Sequence, residues 1–293
     1  MSINRRQFIK LAGLSAVLSV GGITAIDKVK ANAQELPSGA RATASAAGQI
    51  FGQSKPPLTA KRWGMVVDLS KFQTPEDYQK CIDACNRIHN IPDFGEKKDE
   101  VKWIWTDTFE HTFPDSNPRD RKEVKDGDEL GLFIPEELKE KRFLLLCNHC
   151  DNPPCTRVCP TKATWKRESD GIVMMDQHRC IGCRFCMAAC PFGARSFNWR
   201  DPRPFIKEEN LNPEYPTRAI GVVEKCIFCV ERLEQGLKPA CVEKSNGGLV
   251  FGDLDDKNSD VRKLLRTHFS IRRKPQLGTQ PSVYYLIGGI KNV

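Results

Sequence analysis

Between residues 147 and 190, eight cysteines fall in two runs of four, CNHCDNPPCTRVCP and CIGCRFCMAACP, each closed by a proline. The runs are near copies of each other, and they restrict what the chain can fold around. Two cysteines separated by two residues can grip one side of a small inorganic body, and the Cys-Pro at the end of each run turns the chain away from it. Zinc also takes four thiolates, usually from two CxxC pairs, but runs of four with a terminal Cys-Pro have no use for that pattern. A disulfide framework fits less well still, because cysteines so closely spaced face one body more readily than they pair in order. The spacing points to cubanes of four irons and four sulfides.

In two-cluster ferredoxins the fourth cysteine of each run ligates the other cluster. Applied here, cluster A takes Cys147, Cys150, Cys155 and Cys190, and cluster B takes Cys180, Cys183, Cys186 and Cys159. Between the runs the sequence predicts a hairpin: strands over 164–167 and 172–175, joined at Asp170-Gly171.

A third set is spread along the chain. Cys226, Cys229 and Cys241 lie in CIFCVERLEQGLKPAC, with a short helix expected over 231–235. Upstream, Pro75 opens a predicted helix that carries Cys81 and Cys85 on one face. If these outer segments exchange ligands as the central runs do, Cys85 completes cluster C with Cys226, Cys229 and Cys241. A fourth standard cluster is lost, since Phe72 and Ser245 stand where its cysteines would fall. Cys81 is left over, and three readings stay open: a buried thiol, an alternative ligand to Cys85, or part of a remnant site. His89 reads as a hydrogen-bonding neighbour of the cluster, with metal ligation as the alternative.

The amino terminus carries Arg5-Arg6 ahead of an apolar, glycine-containing stretch over 11–26, with Ala31-Asn32-Ala33 before Gln34. This pattern predicts a twin-arginine signal over 1–33, which suits a cargo folded around its clusters before export. A retained signal acting as an anchor is the alternative, the stretch being slightly short of a comfortable span. Arg5, Arg6, Lys10, Lys28 and Lys30 against Asp27 supply half of the formal charge of +8, so no basic-patch argument for nucleic acid survives.

The rest divides into a flexible leader over 34–60 and a first cysteine segment with an inserted loop over 61–146. A central double-cluster domain over 147–200 is followed by a second half over 201–258 that pairs with 61–90, then a helix and edge strands over 259–293. Strands are expected over 62–69, 101–105, 195–199 and 219–224, and a charge-rich surface loop over 119–129. Asp255 or Asp256 is expected to cap the last helix, and 270–274 and 283–287 to add edge strands. The acids near Asp253 lack the twelve-residue loop of a calcium site.

No GxGxxG follows a strand and no GxxxxGK[ST] occurs, so nucleotide chemistry lies elsewhere. Clusters without catalytic groups describe an electron conductor rather than an enzyme. Lys162, Lys166 and Lys225 are candidates to raise cluster potentials.

The ferredoxin-like runs, KCIFCVERLEQGLKPACVEKS and FGDLDD resemble the electron-transfer subunits that accompany molybdopterin oxidoreductases and quinone-interacting membrane proteins. The likeness spans roughly 60–290. It implies an α+β fold of two pseudo-symmetric bacterial-type ferredoxin (4Fe-4S) domains with inserted loops and a C-terminal extension. Members usually carry four cubanes, and Phe72, the missing second cysteine of the first run and Ser245 depart from that. Within the family, DLSKF, KCIDACNRIHNIP, VKWIW and GDLDDKNSDV are most similar to the iron-sulfur subunits of DsrMKJOP-type complexes of dissimilatory sulfur metabolism. The cysteine arithmetic gives three 4Fe-4S clusters, and that resemblance implies a place on the periplasmic or extracytoplasmic side of the membrane. It also implies a polytopic quinone-interacting partner (DsrP-like) and a multihaem cytochrome c partner (DsrJ-like). The family alternative is the iron-sulfur subunit of a periplasmic molybdopterin reductase or nitrite-reduction quinol system; the alternative of another class is a zinc-stapled binding module.

Overall fold

A computed structural model describes residues 55–113, 138 and 141–287. The signal with Arg5-Arg6, the leader up to residue 54, the loop over 119–129 and the end of the C-terminal segment lie outside the described residues. In chain order the strands are β1 (Trp63–Asp68), β2 (Ile104–Asp107), β3 (Phe143–Leu146), β4 (Thr164–Lys166), β5 (Val173–Met175), β6 (Ser196–Phe197), β7 (Val223–Glu224), β8 (Leu249–Asp253), β9 (Ser270–Ile271) and β10 (Val283–Leu286). The helices are α1 (Pro75–Ile88), α2 (Phe109–Thr112), α3 (Pro154–Arg157), α4 (Phe185–Ala189), α5 (Val230–Glu234), α6 (Ala240–Lys244) and α7 (Asp260–Thr267). The result is a mixed α/β fold of small, mostly antiparallel sheets, of the kind a ferredoxin-like iron-sulfur domain uses.

The one larger sheet has the order β8-β1-β10-β9. β1 is buried from Trp63 to Val67 and does not alternate, because both of its faces are covered. Met65 and Val67 point into the main core, while Val66 packs with Leu254, Leu286 and Val261 of α7. β10 was expected at an edge. Instead it lies parallel to β1 and pairs with β9 on its other side, with Tyr285 buried and its hydroxyl donating to the Leu144 carbonyl at 3.1 Å. The short β9 takes the edge.

α1 starts where the sequence places it. Pro75 takes the first turn, and the Asp77 carboxylate accepts from the Thr74 backbone N–H at 3.1 Å and the Gln73 N–H at 3.2 Å. Tyr78, Cys81 and Cys85 fall on its buried face, which packs on α6.

The Asp-Gly hairpin forms as expected. Thr164 pairs with Met175 and Lys166 with Val173, and Gly171 at φ +76° makes the turn. The strand expected over 101–105 begins only at Ile104. Before it, Lys102 N–H donates to Ser196 Oγ at 2.8 Å and Trp103 Nε1 to Glu224 at 2.8 Å, so side chains hold that stretch in place of a ladder. β6 and β7 keep two residues each of their longer expected spans. The cap of α7 is neither Asp255 nor Asp256 but Ser259, whose Oγ accepts from Arg262 N–H at 3.2 Å. Asp256 instead accepts from Asn258 N–H within its own turn, and Asp253 from the backbone of Lys61, Arg62 and Asp255.

The main core is one continuous apolar cluster, and it includes Cys81, Cys85, Cys226 and Cys241. Of the central cysteine runs only Cys147 packs against it. Around them the buried apolar groups are few, chiefly Val173, Val223, Phe192 and Ala194 together with the cysteines themselves.

Candidate metal centre

Thiols from four places converge within the main core. Cys85 comes from α1, Cys226 follows β7, Cys229 opens α5 and Cys241 sits in α6, and all four are buried. Phe228 and Cys229 take the left-handed conformation, at φ +56° and +50°, to bring the loop around. Burial pushes the Cys85 thiol well up, and Cys229, Cys226 and Cys241 push it further. Cys229 is raised by burial and then by Cys241, and Cys241 by burial and then by Cys226. Thiols that penalise one another's ionisation this way can all become thiolates only around a positive body. The Phe228 N–H donates to Cys226 Sγ at 3.4 Å.

His89 lies beside this set, as expected. Its Nδ1 is 3.5 Å from Cys85 Sγ and 3.0 Å from the Cys85 carbonyl, and its Nε2 is 2.9 Å from Glu231 Oε1. The ring stacks on Trp103 with centroids 4.3 Å apart. Cys81 is placed differently from Cys85. Its thiol donates to the Asp77 carbonyl at 3.5 Å, and burial, with Asp77 adding, pushes it up to about 12.

Phe72 and Ser245, which the sequence has where further cysteines are expected, are packed and hydrogen-bonded. Phe72 stacks on Tyr78 at 4.7 Å, and a Cβ on Gly248 would lie 2.6 Å from the Phe72 ring. Ser245 Oγ donates to the Val242 carbonyl at 2.8 Å and accepts from Leu249 N–H at 2.9 Å.

In the central runs Cys147, Cys150, Cys155 and Cys190 neighbour one another, and Cys155 also neighbours Cys186. Cys150 is pushed up to about 12 by burial and then by Cys147, with Cys190 and Cys155 adding and the Thr279 side chain opposing. Cys186, carried by α4, is raised by burial, and its thiol neighbours are Cys155 and Cys180. Cys180 Sγ accepts the Val223 N–H at 3.4 Å. At Cys159 burial acts upward, but the Thr164 backbone and the Thr161 hydroxyl outweigh it, so this thiol lies below its usual range. Cys183 sits half-buried on the loop before α4. That loop needs glycine: at Gly182, φ +70°, a Cβ would lie 2.3 Å from the Gly221 carbonyl. Cys226 is pushed up to about 12 by burial and next by Cys147, so the third set adjoins the central ones.

The donor set fits iron-sulfur chemistry. All thirteen cysteines are free thiols. Asn148 Nδ2 and Oδ1 and His149 Nε2, inside the Cys147–Cys150 loop, are buried with no side-chain or backbone hydrogen bond. His149 Nδ1 accepts the Val173 N–H at 3.1 Å, which leaves the ring proton on Nε2. Buried donors without partners are costly, and a bound cluster would supply acceptors of the kind they lack.

Of the lysines singled out, Lys225 is buried, with Nζ donating to the Val173 and Cys226 carbonyls. Lys166 pairs with Asp151 instead. Lys162 takes φ +53° in the turn after Cys159. Sequence reasoning missed Arg195, Thr279 and the buried pair Arg218–Glu224. Arg195 follows the CPFGA stretch closely enough to have been noticed, whereas nothing local marks Thr279.

A model of the 4Fe-4S dicluster domain matches residues 141–203. The chain is 40% identical over 251 residues to the Hdr-like menaquinol oxidoreductase iron-sulfur subunit 1 of Archaeoglobus fulgidus, covering 78% of this chain and 85% of that protein. It is 34% identical over 248 residues to the menaquinone reductase iron-sulfur cluster-binding subunit of Nitratidesulfovibrio vulgaris, covering 77% and 88%. To the arsenate respiratory reductase iron-sulfur subunit ArrB of a Shewanella species it is 36% identical over 262 residues, covering 77% and 96%.

Proposed function

The chain belongs to the family of iron-sulfur electron-transfer subunits of molybdopterin- and quinone-linked oxidoreductase complexes, which are not themselves the enzymes, and from that premise we propose that it carries three 4Fe-4S clusters. Cluster A is held by Cys147, Cys150, Cys155 and Cys190, cluster B by Cys180, Cys183, Cys186 and Cys159, and cluster C by Cys226, Cys229, Cys241 and Cys85. The segments 61–146, 147–200, 201–258 and 259–293 then form two pseudo-symmetric ferredoxin halves and an extension. The observation that supports this reading is the meeting of Cys85 with Cys226, Cys229 and Cys241 in one buried site; Cys81 on the same helix also neighbours Cys241, but its thiol donates to the Asp77 carbonyl.

Bound clusters supply one-electron transfer. The protein's part is to exclude water from the third site and to aim N–H groups at sulfur, as Val223 does at Cys180 and Phe228 at Cys226. Such donors favour the more negative, reduced state.

The finer reading is a DsrO-like subunit on the periplasmic or extracytoplasmic face, exported by the twin-arginine route. It connects a DsrP-like quinone-interacting membrane subunit with a DsrJ-like multihaem cytochrome c in dissimilatory sulfur metabolism. Likeness to a menaquinol oxidoreductase subunit supports the quinone link. Ile181, Phe185, Trp199 and Ile220, exposed near Cys180 and Cys183, suit a partner surface. Among the described residues no helix is long and apolar enough to cross a membrane. Relatives named for arsenate and dimethyl sulfoxide reductases favour a second reading, with a catalytic molybdenum subunit as partner. Co-purification of a molybdenum protein rather than a haem protein selects it.

Metal analysis tests the cluster count. Anaerobically purified protein should hold about twelve irons and about twelve acid-labile sulfides per chain. Zinc in their place ends the reading. Cys85→Ala should remove about four irons and Cys81→Ala none; equal losses overturn the assignment of cluster C.

A further inference from the structure

Arg218, a buried cation, faces a carboxylate, that of Glu224. Arg195 does not. It is 5% exposed, and among the described residues no carboxylate reaches it. Its Nη2 donates to Thr164 Oγ1 at 2.9 Å and its Nη1 reaches Met175 Sδ at 3.7 Å. Thr164 Oγ1 in turn donates to the Met174 carbonyl at 2.7 Å, so the guanidinium is pinned to the β4–β5 hairpin. A guanidinium cannot shed its proton, and a buried charge with no counter-ion is expensive. Met175, which Arg195 contacts, packs against the buried cluster that holds Cys155 and Cys186, so the groups around the guanidinium that a bound cluster would make anionic are cysteines: Cys155, Cys186 and Cys147. Burial opposes its charge, and these thiols outweigh the opposition.

Cys155 and Cys147 belong to cluster A in the reading above, and Cys186 belongs to cluster B. We infer that Arg195 is a counter-cation shared by clusters A and B, a positioning residue that favours the additional negative charge each acquires on reduction. The inference rests on the three-cluster reading. On reduction one electron enters, the site gains one negative charge, and no proton moves. The fixed positive charge therefore raises the potential of both couples. Arg273 supplies a one-sided control. It is buried, donates to the carbonyls of Thr112 at 3.2 Å and Phe192 at 3.4 Å, and among the cysteines faces Cys190, a ligand of cluster A.

The test is an anaerobic redox titration of the full chain, followed by low-temperature paramagnetic resonance, with iron and sulfide measured on each sample. Arg195→Gln should keep its iron while two couples become harder to reduce by about tenfold or more, which for one electron is about 59 mV. Arg195→Lys, which keeps the charge, should stay near the wild type. Arg273→Gln should move one of the same two couples. Full iron with unmoved potentials in Arg195→Gln overturns the role of Arg195 alone, whereas wild-type protein lacking iron overturns the cluster reading and this inference with it. If Arg195→Gln emerges without iron, the Lys variant decides. Full loading with near-native potentials supports a requirement for charge; loss of iron there shows that shape is what the site needs and refutes the inference.

Discussion

Replacing Glu224 by alanine should be among the most damaging single changes away from the cysteines. Glu224 and Arg218 are both wholly enclosed. The carboxylate accepts from Arg218 Nε at 2.9 Å, from Arg218 Nη2, from Trp103 Nε1 at 2.8 Å and from Asn198 Nδ2. Glu224→Ala leaves a permanently charged guanidinium with only the His89 and Asn90 carbonyls as acceptors, and it orphans the indole, while Asn198 Nδ2 keeps the Val222 carbonyl. Breaking a buried pair from one side costs about 3–5 kcal/mol. For a domain of this size that lowers Tm by roughly 6–20 °C, at about 2–4 °C per kcal/mol. Since Arg218 clamps the end of α1, which carries Cys85, the third site should release its iron first on heating. The assay is anaerobic thermal unfolding at one fixed scan rate, followed by visible cluster absorbance and near-ultraviolet circular dichroism. The double variant Arg218→Met with Glu224→Leu should be less damaged than Glu224→Ala, because removing both charges also removes their desolvation cost. A single-variant drop within about 2 °C, corresponding to less than about 1 kcal/mol, or a double variant as poor as the two singles combined, would refute the reasoning.

Two further outcomes are expected. Burial raises the Tyr285 hydroxyl to about 12. An acid with a raised folded pKa contributes stability that is intact below its unfolded value, near 10, and lost as pH climbs toward 12. Tyr285→Phe should therefore cost about 1 kcal/mol at neutral pH, from the lost bond to Leu144, and its deficit should shrink through that alkaline window. A deficit that is constant with pH in chemical unfolding shows that Tyr285 does not titrate with folding. For export, replacing Arg5 and Arg6 by lysine should hold a folded, iron-containing precursor in the cytoplasm. Normal export in cell fractionation shows that the arginine pair is incidental.

What the residues determine unaided is short in range. The CxxC spacings, the Cys-Pro exits and the Asp-Gly hairpin between Thr164 and Met175 are decided by a few neighbouring dihedrals and by the reach of a side chain, so they are legible without a fold. The start of α1 is legible for the same reason, since Pro75 and Asp77 act on their own turn. Tertiary structure alone decided the rest. Val283–Leu286 reads as an edge strand by position, but β1 accepts it in parallel because the core face of Tyr285 needs covering. Asp255, Asp256 and Ser259 are all competent caps, and only the docking of α7 on β8 selects Ser259. Cys81 and Cys85 share a helix face, and only the packing of α1 on α6 and on the loop before α5 sets Cys85 beside Cys226, Cys229 and Cys241. The charges that face the cysteines, Arg195 and Arg273, are set by burial, and burial is a property of the whole chain: a residue cannot signal in sequence which distant groups will exclude water from it.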